Sequence, residues 1–246
     1  MSTSRYLAVS LSGLQILLLA VAPTSALPVP SVKLSLDFNV PDRGAPSTTS
    51  GGGTRGRCLP GTKTLMPLVP KTNLGLTTSD RPSFFAYIPP ISRTAPVTPN
   101  LAEFLLLSDD DQEVVYQATF PLPDQAGIVQ YDLPEDAPAL KPGSRYHWYI
   151  TLFCDTSGSA SSNPSAEGWI ERAAVSPNLT KALKAAEPSK RAAVYAEAGI
   201  WHETLTTLAD LRRRNPNSAT VLSDWRSVLK SVGLESMADE PIASCR

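Results

Sequence analysis

The stretch Leu140-Lys-Pro-Gly-Ser-Arg-Tyr-His-Trp148, continued to Phe153, decides the fold of this chain. It opens with a Pro-Gly dipeptide, which marks a turn. From Tyr146 onward the residues follow a period of two, which favours a half-buried β-strand. The stretch therefore predicts a turn that leads directly into a long strand.

Outside this stretch the period of two extends from residue 64 to residue 174, interrupted by turn sequences. Short strands separated by turns about every dozen residues are typical of an antiparallel β-sandwich. Residues 140–148 also resemble the tyrosine corner of immunoglobulin-like and fibronectin-like sandwiches, in which a tyrosine at the start of a late strand bonds back to the preceding turn. We therefore expect an immunoglobulin/fibronectin-like antiparallel β-sandwich over about residues 58–174. The predicted strands are 64–69, 83–87, 103–107, 114–120, 128–133, 146–153 and 167–173.

A change of period to 3.6 after Ser176 marks a helical part of the chain. Ser176-Pro177 suits a helix N-cap followed by a first-turn proline, and Gly233-Leu234 suits a Schellman-type stop. The sequence therefore predicts a mainly β protein with a C-terminal helical module over about 176–235 and a tail at 236–246. The predicted helices are 178–186, 189–198, one that carries Trp201 and ends at Arg212–Arg214, and 218–232.

The second and third predicted helices resemble a single tetratricopeptide-type hairpin. Tyr195, Gly199, Trp201 and Pro216 occupy the spacings of its two aromatic residues, its turn glycine and its terminal proline. One hairpin cannot bury a continuous core, because such repeats need about three copies. It should therefore pack on the sandwich, with tryptophans filling the junction, or bind a partner. In the second case Tyr195, Trp201 and Trp225 are the candidate partner-binding residues.

The first 26 residues are typical of a secretory signal peptide. Arg5 is their only charge, a mostly apolar run extends from Leu7 to Ala22, and Thr24-Ser25-Ala26 offers small residues for cleavage. The run is too short and interrupted for a comfortable membrane span. We expect a secreted or periplasmic protein with no stable span after signal removal. Residues 27–57 then form a low-complexity leader, predicted to be flexible, in which only 34–38 alternate like a strand.

The charge balance argues against a nucleic-acid partner. The chain has 22 Lys and Arg against 23 Asp and Glu, and its formal net charge of −1 becomes −2 without Arg5. Proteins that bind nucleic acid are typically basic. We therefore expect neither nucleic-acid binding nor a polybasic membrane contact.

Three cysteines, Cys58, Cys154 and Cys245, lie beyond the signal peptide. In an oxidising compartment two of them are expected to pair. We favour Cys58–Cys154, because both flank predicted strands of one domain. The alternative Cys154–Cys245 would tie the tail to the body, and the sequence does not decide between them. Because the chain has no C-x-x-C and only two histidines, neither a metal site nor a cofactor is predicted.

No catalytic constellation is recognisable, since G-x-S-x-G is absent and neither His147 nor His202 has a nucleophile motif. Two alternatives to a simple scaffold remain. A carbohydrate or cell-wall binding module would use exposed tryptophans as stacking platforms. A hydrolase of unrecognised type would use Asp155, Glu167 or His147 and would bring them together in a concave pocket.

A set of motifs spans residues 53–245: Gly53-Thr-Arg-Gly-Arg-Cys58, Leu65-x-Pro-Leu-Val-Pro70, Arg81-Pro-Ser-Phe-Phe-x-Tyr-x-Pro89, Tyr146-x-Trp-Tyr149 with Cys154-Asp155, Glu167-Gly-Trp-Ile-Glu-Arg172, Tyr195-Ala-Glu-x-Gly-Ile-Trp201 and Ser231-Val-Gly-Leu234. Together they resemble the mainly cyanobacterial family called domain of unknown function 928. The resemblance implies an exported protein without an assigned activity and supplies no catalytic residues. We therefore expect an exported, non-enzymatic binding or scaffold protein of the periplasm or cell envelope, with the helical module as the surface for a protein partner.

Overall fold

The computed structural model of the chain describes residues 36–41, 58–59, 62–91, 100–154 and 163–243. The predicted signal peptide, most of the leader, Asp155 and Cys245 lie outside these residues. The description below concerns the described residues alone.

These residues form two sheets. The strands are β1 (Met66–Pro67), β2 (Leu74–Thr77), β3 (Ser83–Ile88), β4 (Leu101–Ser108), β5 (Val114–Pro121), β6 (Gly127–Asp132), β7 (Arg145–Leu152) and β8 (Ser165–Arg172). One sheet has the order β1-β3-β6 and the other the order β2-β8-β7-β4-β5. The two sheets are mostly antiparallel, so the chain is mixed β with α, as the sequence predicted at this level.

The period of two in the sequence produces a shared core between the sheets. Along β4, buried positions alternate with exposed or half-exposed ones. Phe84 of β3 lies against Phe104 of β4 and Trp148 of β7, with ring centroids 4.7 and 5.4 Å apart. All three side chains are fully buried. Each such ring stabilises the fold by about 1.5–3 kcal/mol, so these cross-sheet contacts hold the two layers together.

The tyrosine at the start of β7 makes the hydrogen bond that its sequence context predicted. The backbone N–H of Lys141 donates to Tyr146 Oη at 2.9 Å. The intervening turn contains Gly143 with φ +76°, a conformation that glycine adopts without the usual steric cost. The predicted turn-to-strand unit is therefore present.

The strand β2 was missed, and the prediction of an entirely antiparallel sandwich was wrong there. β2 pairs with β8 in parallel, with Leu74 opposite Trp169. All four of its residues are buried, and the stretch Leu74-Gly-Leu-Thr77 is short and contains a glycine, which weakens a strand signal. Only pairing with β8 identifies it as a strand.

The favoured disulfide pairing is confirmed, because Cys58 is bonded to Cys154. The bond joins the segment before β1 to the end of β7 across a separation of 96 residues. In the chain-entropy model such a loop contributes roughly 4–5 kcal/mol to stability. The alternative partner, Cys245, lies outside the described residues.

The helices follow the predicted boundaries to within a few residues. Ser176 caps the first helix, its side chain accepting from the N–H of Leu179 at 3.1 Å. Gly199 (φ +71°) and Gly233 (φ +81°) end the second and fourth helices, each within the hydrogen-bond pattern of a Schellman motif. The helices are α1 (Pro177–Ala185), α2 (Arg191–Glu197), α3 (Trp201–Arg214) and α4 (Ala219–Ser231), with 3₁₀ turns at Pro188–Lys190 and Glu235–Met237.

The helical module packs on the outer face of the three-stranded sheet. Apolar side chains of α3 and α4 share one buried cluster with side chains of β3 and β6. The predicted hairpin therefore uses its apolar face for packing on the sandwich. Principal members of the cluster are Leu68, Phe85, Tyr87, Ile128, Trp201, Leu205, Trp225 and Leu229.

Two residues at the start of α3 fasten this helix to the sandwich. His202 is buried, and its Nδ1 lies 2.8 Å from the backbone oxygen of Ser83, to which we assign it as donor. Burial lowers the pKa of His202, so the ring is neutral in the fold near pH 7. The Oε1 atom of Glu203 accepts from the N–H groups of Thr78 and Ser79 at 2.7 and 2.8 Å. The turn between β2 and β3 is thus held by a carboxylate of the helical module.

Candidate functional site

The segment Leu36–Pro41, called the strap below, occupies a groove of the helical module between the end of α2, the start of α3 and the end of α4. The sequence assigned it to a flexible leader, yet these six residues make specific contacts with the helices. They carry no regular secondary structure, so the described part of the predicted strand at 34–38 is not a strand. The strap is an extended peptide bound to the rest of its own chain.

Phe38 anchors the strap. Its side chain is only 6% exposed, and its ring meets the ring of Trp201 edge to face at a centroid distance of 4.8 Å. Its backbone N–H donates to Ser231 Oγ at 3.0 Å. Asp37 and Val40 on either side are exposed. The groove therefore buries the side chain of Phe38 more deeply than those of Asp37 and Val40.

Asn39 fixes the main chain of the strap at the end of α2. Its backbone N–H donates to the carbonyl oxygen of Ala196 at 3.1 Å, and its Nδ2 donates to that of Glu197 at 3.3 Å. The Ala196 oxygen also accepts from the N–H of Gly199 at 3.1 Å, and a carbonyl oxygen has two lone pairs with which to accept hydrogen bonds. The groove thus offers hydrogen-bond acceptors that an extended peptide can satisfy.

Gly199 forms the floor of the groove beneath the second half of the strap. A Cβ atom at this position would lie 2.7 Å from Pro41 Cγ and 2.9 Å from the backbone oxygen of Asn39. The same glycine ends α2 with a positive φ. Its missing side chain therefore serves the hairpin turn and also admits the strap.

The groove and the sandwich lie within one family region. A family model for a Domain of Unknown Function (DUF928) matches residues 50–242. The chain belongs to the DUF928 family. Comparison with curated proteins finds no match, and comparison with solved structures finds none either. The groove is part of the matched DUF928 region, whereas the strap precedes it.

The DUF928 chain places the three predicted partner-binding residues differently. Trp201 forms a wall of the groove, and its Nε1–H donates to the backbone oxygen of Leu68 at 2.8 Å. Trp225 is fully buried in the same apolar cluster, with the guanidinium group of Arg212 5.3 Å from its ring centroid. Tyr195 is half-buried in a separate cluster with α1 and β2, and this burial raises its pKa. Of the three, Trp201 is the residue whose ring contacts Phe38 of the strap.

The tryptophans offer no stacking platform on the surface. All four of them are buried, with at most 5% of any side chain exposed. Trp148 fills the sandwich core, Trp201 and Trp225 fill the junction with the helices, and Trp169 stacks on His147. A ligand that stacks on tryptophan would find no ring to contact in this conformation.

His147 lies in a polar cluster on the outer face of the larger sheet. Its Nδ1 is 2.9 Å from Asp111 Oδ1 and 3.0 Å from Tyr149 Oη, and its ring stacks on Trp169 with centroids 4.2 Å apart. Burial, Glu167 and Asp111 raise the pKa of Tyr149 to about 12, so this hydroxyl keeps its proton near neutral pH. The cluster ties the β4–β5 hairpin to the sheet.

Burial holds the imidazole of His147 away from solvent in this conformation. Its Nε2 atom is buried and has no hydrogen-bond partner among the described residues. Glu167 stands opposite Tyr149 on the neighbouring strand, two residues along from Trp169, which is the partner of His147. Asp155, the third residue of the hydrolase hypothesis, lies outside the described residues. Within those residues, no group of His, Cys, Asp and Glu side chains is arranged to hold a metal ion.

Sequence reasoning missed the strap, although it contains one usable signal. Phe38 is an isolated aromatic residue in a leader otherwise rich in Pro, Gly, Ser and Thr, and it ends the short alternating run at 34–38. A lone large apolar residue in such a segment indicates a docking position. The groove that receives it leaves no local pattern in the sequence.

Proposed function

We propose that this DUF928 protein is an exported, non-enzymatic binding protein of the periplasm or cell envelope, and that its helical module recognises an extended peptide segment. The observation that carries the proposal is the strap in its groove. An apolar slot beside Trp201, two helix-end carbonyl groups and the hydroxyl of Ser231 all engage one short peptide. Recognition of peptides by such a groove combines main-chain hydrogen bonds for affinity with a side-chain pocket for specificity.

The contacts also define the sequence that the groove prefers. The position of Phe38 requires an aromatic or large apolar side chain, because that side chain is buried. The position of Asn39 favours a residue whose side chain donates a hydrogen bond. The position of Val40 is less constrained than that of Phe38, since its side chain is partly exposed.

Export is supported by two independent features. The first is the N-terminal apolar run with its small-residue cleavage motif. The second is the Cys58–Cys154 disulfide, since such bonds persist mainly in oxidising compartments. Among the described residues, no helix combines the length and apolar character needed to cross a membrane. Cell fractionation with N-terminal sequencing tests this part: export predicts an extracytoplasmic protein that begins at Leu27, and a cytoplasmic protein that retains residues 1–26 would contradict it.

We also infer that the sandwich is immunoglobulin-like. The order β8-β7-β4-β5 corresponds to strands G-F-C-C′ of that fold, and β1-β3-β6 corresponds to A-B-E. The hydrogen bond between Lys141 and Tyr146 at the corner before β7 adds support. The disulfide departs from the antibody pattern, because it lies at the end of β7 and does not join the two central strands. An experimental structure in which β4 and β5 belonged to the smaller sheet would refute this assignment.

Peptide binding in solution tests the binding function. The mature chain carrying Phe38→Ala should release its strap and leave the groove open. A fluorescent peptide of residues 34–43 should then bind this variant saturably, as followed by fluorescence anisotropy. Binding of a peptide with Val40→Ala should be unchanged, because Val40 is exposed, whereas a peptide with Phe38→Ala should lose at least about tenfold in affinity. Absence of saturable binding by the native peptide, or equal binding of all three peptides, would refute the proposal.

A further inference from the structure

We propose that the edge strand β5 pairs with β5 of a second copy, so that two DUF928 chains join their five-stranded sheets about a twofold axis. This inference goes beyond the proposed function, because β5 belongs to the sandwich and the peptide groove belongs to the helical module. β5 is the last strand in the order β2-β8-β7-β4-β5. Among the described residues, β4 is therefore the only strand that pairs with it.

The other three sheet edges are short, buried or covered. β1 has two residues and contains Pro67, and all four residues of β2 are buried. The edge of β6 is covered by the end of the chain, because the N–H of Ile128 donates to the oxygen of Pro241 and the N–H of Ala243 donates to the oxygen of Ile128, both at 2.8 Å. Proteins protect sheet edges in such ways because unpaired N–H and C=O groups can accept a strand from another chain. The eight-residue strand β5 has no cover of this kind among the described residues.

The side chains of β5 and its neighbour favour a second copy as the partner. None of residues 114–121 is charged, although exposed edge strands commonly carry charges that discourage pairing. Leu101 of β4 and Val114 of β5 are 40% and 56% exposed, and they are two of the four exposed large apolar side chains in the described residues. They lie at opposite ends of the β4–β5 pair. Antiparallel pairing about a twofold axis brings the Val114 end of one copy to the Leu101 end of the other, so each copy covers an exposed apolar side chain of its partner.

The hydrogen bonds at the end of β5 define the register of this pairing. The N–H of Leu122, just after β5, donates to the oxygen of Asn100, just before β4, at 2.9 Å. Because successive residues of an antiparallel strand direct their backbone groups to opposite sides, Gln117 and Thr119 direct theirs away from β4. A twofold axis at Ala118 then places Gln117 of each copy opposite Thr119 of the other, with about four hydrogen bonds between the two strands.

The interruptions at the two ends of β5 fit the same axis. A register shift between β4 and β5 leaves Val115 without a partner, and Pro121 has no N–H to donate. These two positions lie equally far from Ala118, so the axis places them opposite each other and the open stretch between them pairs with itself. The axis also sets Tyr116 of one copy opposite Phe120 of the other, an aromatic pair of the kind that stabilises antiparallel strands.

Sedimentation velocity of the mature chain over about 1–500 µM tests the association. A contact one strand long is smaller than the standard interface of about 1,600 Å², so we expect a dissociation constant on the order of 100 µM. The double substitution Gln117→Lys and Thr119→Lys sets lysine opposite lysine across the axis and should weaken dimerisation at least about tenfold. The matched control, Ala182→Lys with Ala185→Lys, adds the same charge at exposed positions of α1 and should dimerise like the wild type.

Cysteine cross-linking tests the register and does not depend on the folding of the lysine variant. Both chains carry Cys245→Ser; one also carries Gln117→Cys and the other Thr119→Cys. Under mild oxidation their mixture should form a disulfide-linked dimer, because hydrogen-bonded antiparallel partners have Cα atoms about 5.5 Å apart, a distance that suits a disulfide. Each variant alone places its cysteines out of register and should cross-link at most about a tenth as much.

The outcomes decide for or against pairing through β5. A dimer that the lysines at 117 and 119 weaken and the control lysines leave intact, together with preferential cross-linking in the mixture, supports it. A wild-type chain that stays monomeric at the highest concentration overturns it, and so does a dimer that both lysine variants weaken equally. Cross-linking that is no greater in the mixture than in the single variants overturns the twofold pairing at Ala118.

Discussion

Replacement of Glu203 by Gln tests how firmly the helical module is joined to the sandwich. The Oε1 atom of Glu203 accepts four hydrogen bonds from the end of β2 and the turn after it. The N–H groups of Thr78 and Ser79 donate at 2.7 and 2.8 Å, and the hydroxyls of Thr78 and Thr77 donate at 2.6 and 3.1 Å. Hydrogen bonds to a charged group contribute about 1.5–3 kcal/mol each, against about 0.5–1.5 kcal/mol for neutral pairs. The substitution keeps the shape of the side chain and removes only its charge.

The expected destabilisation is about 2 kcal/mol. The three shorter bonds should each weaken by about 0.5–1 kcal/mol. This is the low end of the difference between charged and neutral hydrogen bonds, because the turn is half-buried and water can compensate part of the loss. The amide nitrogen of the new Gln would also take the place of Oε2, which is buried and has no hydrogen-bond partner among the described residues. A loss of this size should lower the melting temperature by about 4–8 °C in a chain of this length.

Thermal and urea unfolding of the mature chain provide the assay. Glu187→Gln is the matched control, because Glu187 is exposed, and its effect should stay within about 0.5 kcal/mol. The wild type should unfold in one transition, since the contacts of Glu203 link α3 to the sandwich. Equal stability of the Glu203→Gln chain and the control would refute the reasoning, and so would a separate early transition of the helices in the wild type.

Further predictions concern groups inside the fold. The pKa of His202 is lowered in the folded state, so the unfolded state takes up the proton first as the pH falls below about 6.5. The free energy of unfolding should therefore decrease with falling pH, by at most about 1.4 kcal/mol per pH unit. His202→Asn should flatten this slope in urea unfolding between about pH 7 and pH 5.5, and an unchanged slope would exclude His202 as its source. Joint Cys58→Ser and Cys154→Ser substitution should lower the free energy of unfolding by roughly 4–5 kcal/mol; a loss under about 1 kcal/mol in the same assay would count against the chain-entropy argument. Tyr146→Phe should cost about 0.5–1.5 kcal/mol through the lost bond to Lys141, and no measurable change would mean that water replaces this bond.

Local features of the fold were predictable because each depends on residues close together in the chain. The turn before Tyr146 and the strand after it, the cap at Ser176 and the positive-φ stops at Gly199 and Gly233 all follow from short-range sterics and hydrogen bonding. The periods of two and 3.6 likewise report which face of an element is apolar. They located seven of the eight strands and all four helices of the described residues.

The candidate site was predictable only in part. The tetratricopeptide-like spacing directed attention to Trp201, which does contact the strap. It gave the same weight to Tyr195, and the apolar stripe of the last helix added Trp225, because a helical pattern identifies an apolar face and not what covers it. The sandwich covers most of that face, and this is why the groove at the end of α2 is small and involves few of the predicted residues.

The sequence by itself determined the mixed β and α composition, seven of the eight described strands, the four helices to within a few residues and the corner at Tyr146. It favoured the pairing of Cys58 with Cys154 without deciding it. Only the tertiary structure decided that β2 is a strand, that Glu203 holds the turn after it, and that Phe38 lies beside Trp201. The physical reason is separation along the chain. The N–H of Phe38 bonds to a side chain 193 residues away, and Glu203 bonds to residues about 125 positions earlier. Contacts of this range depend on how the finished elements pack, and no local pattern in the sequence encodes them.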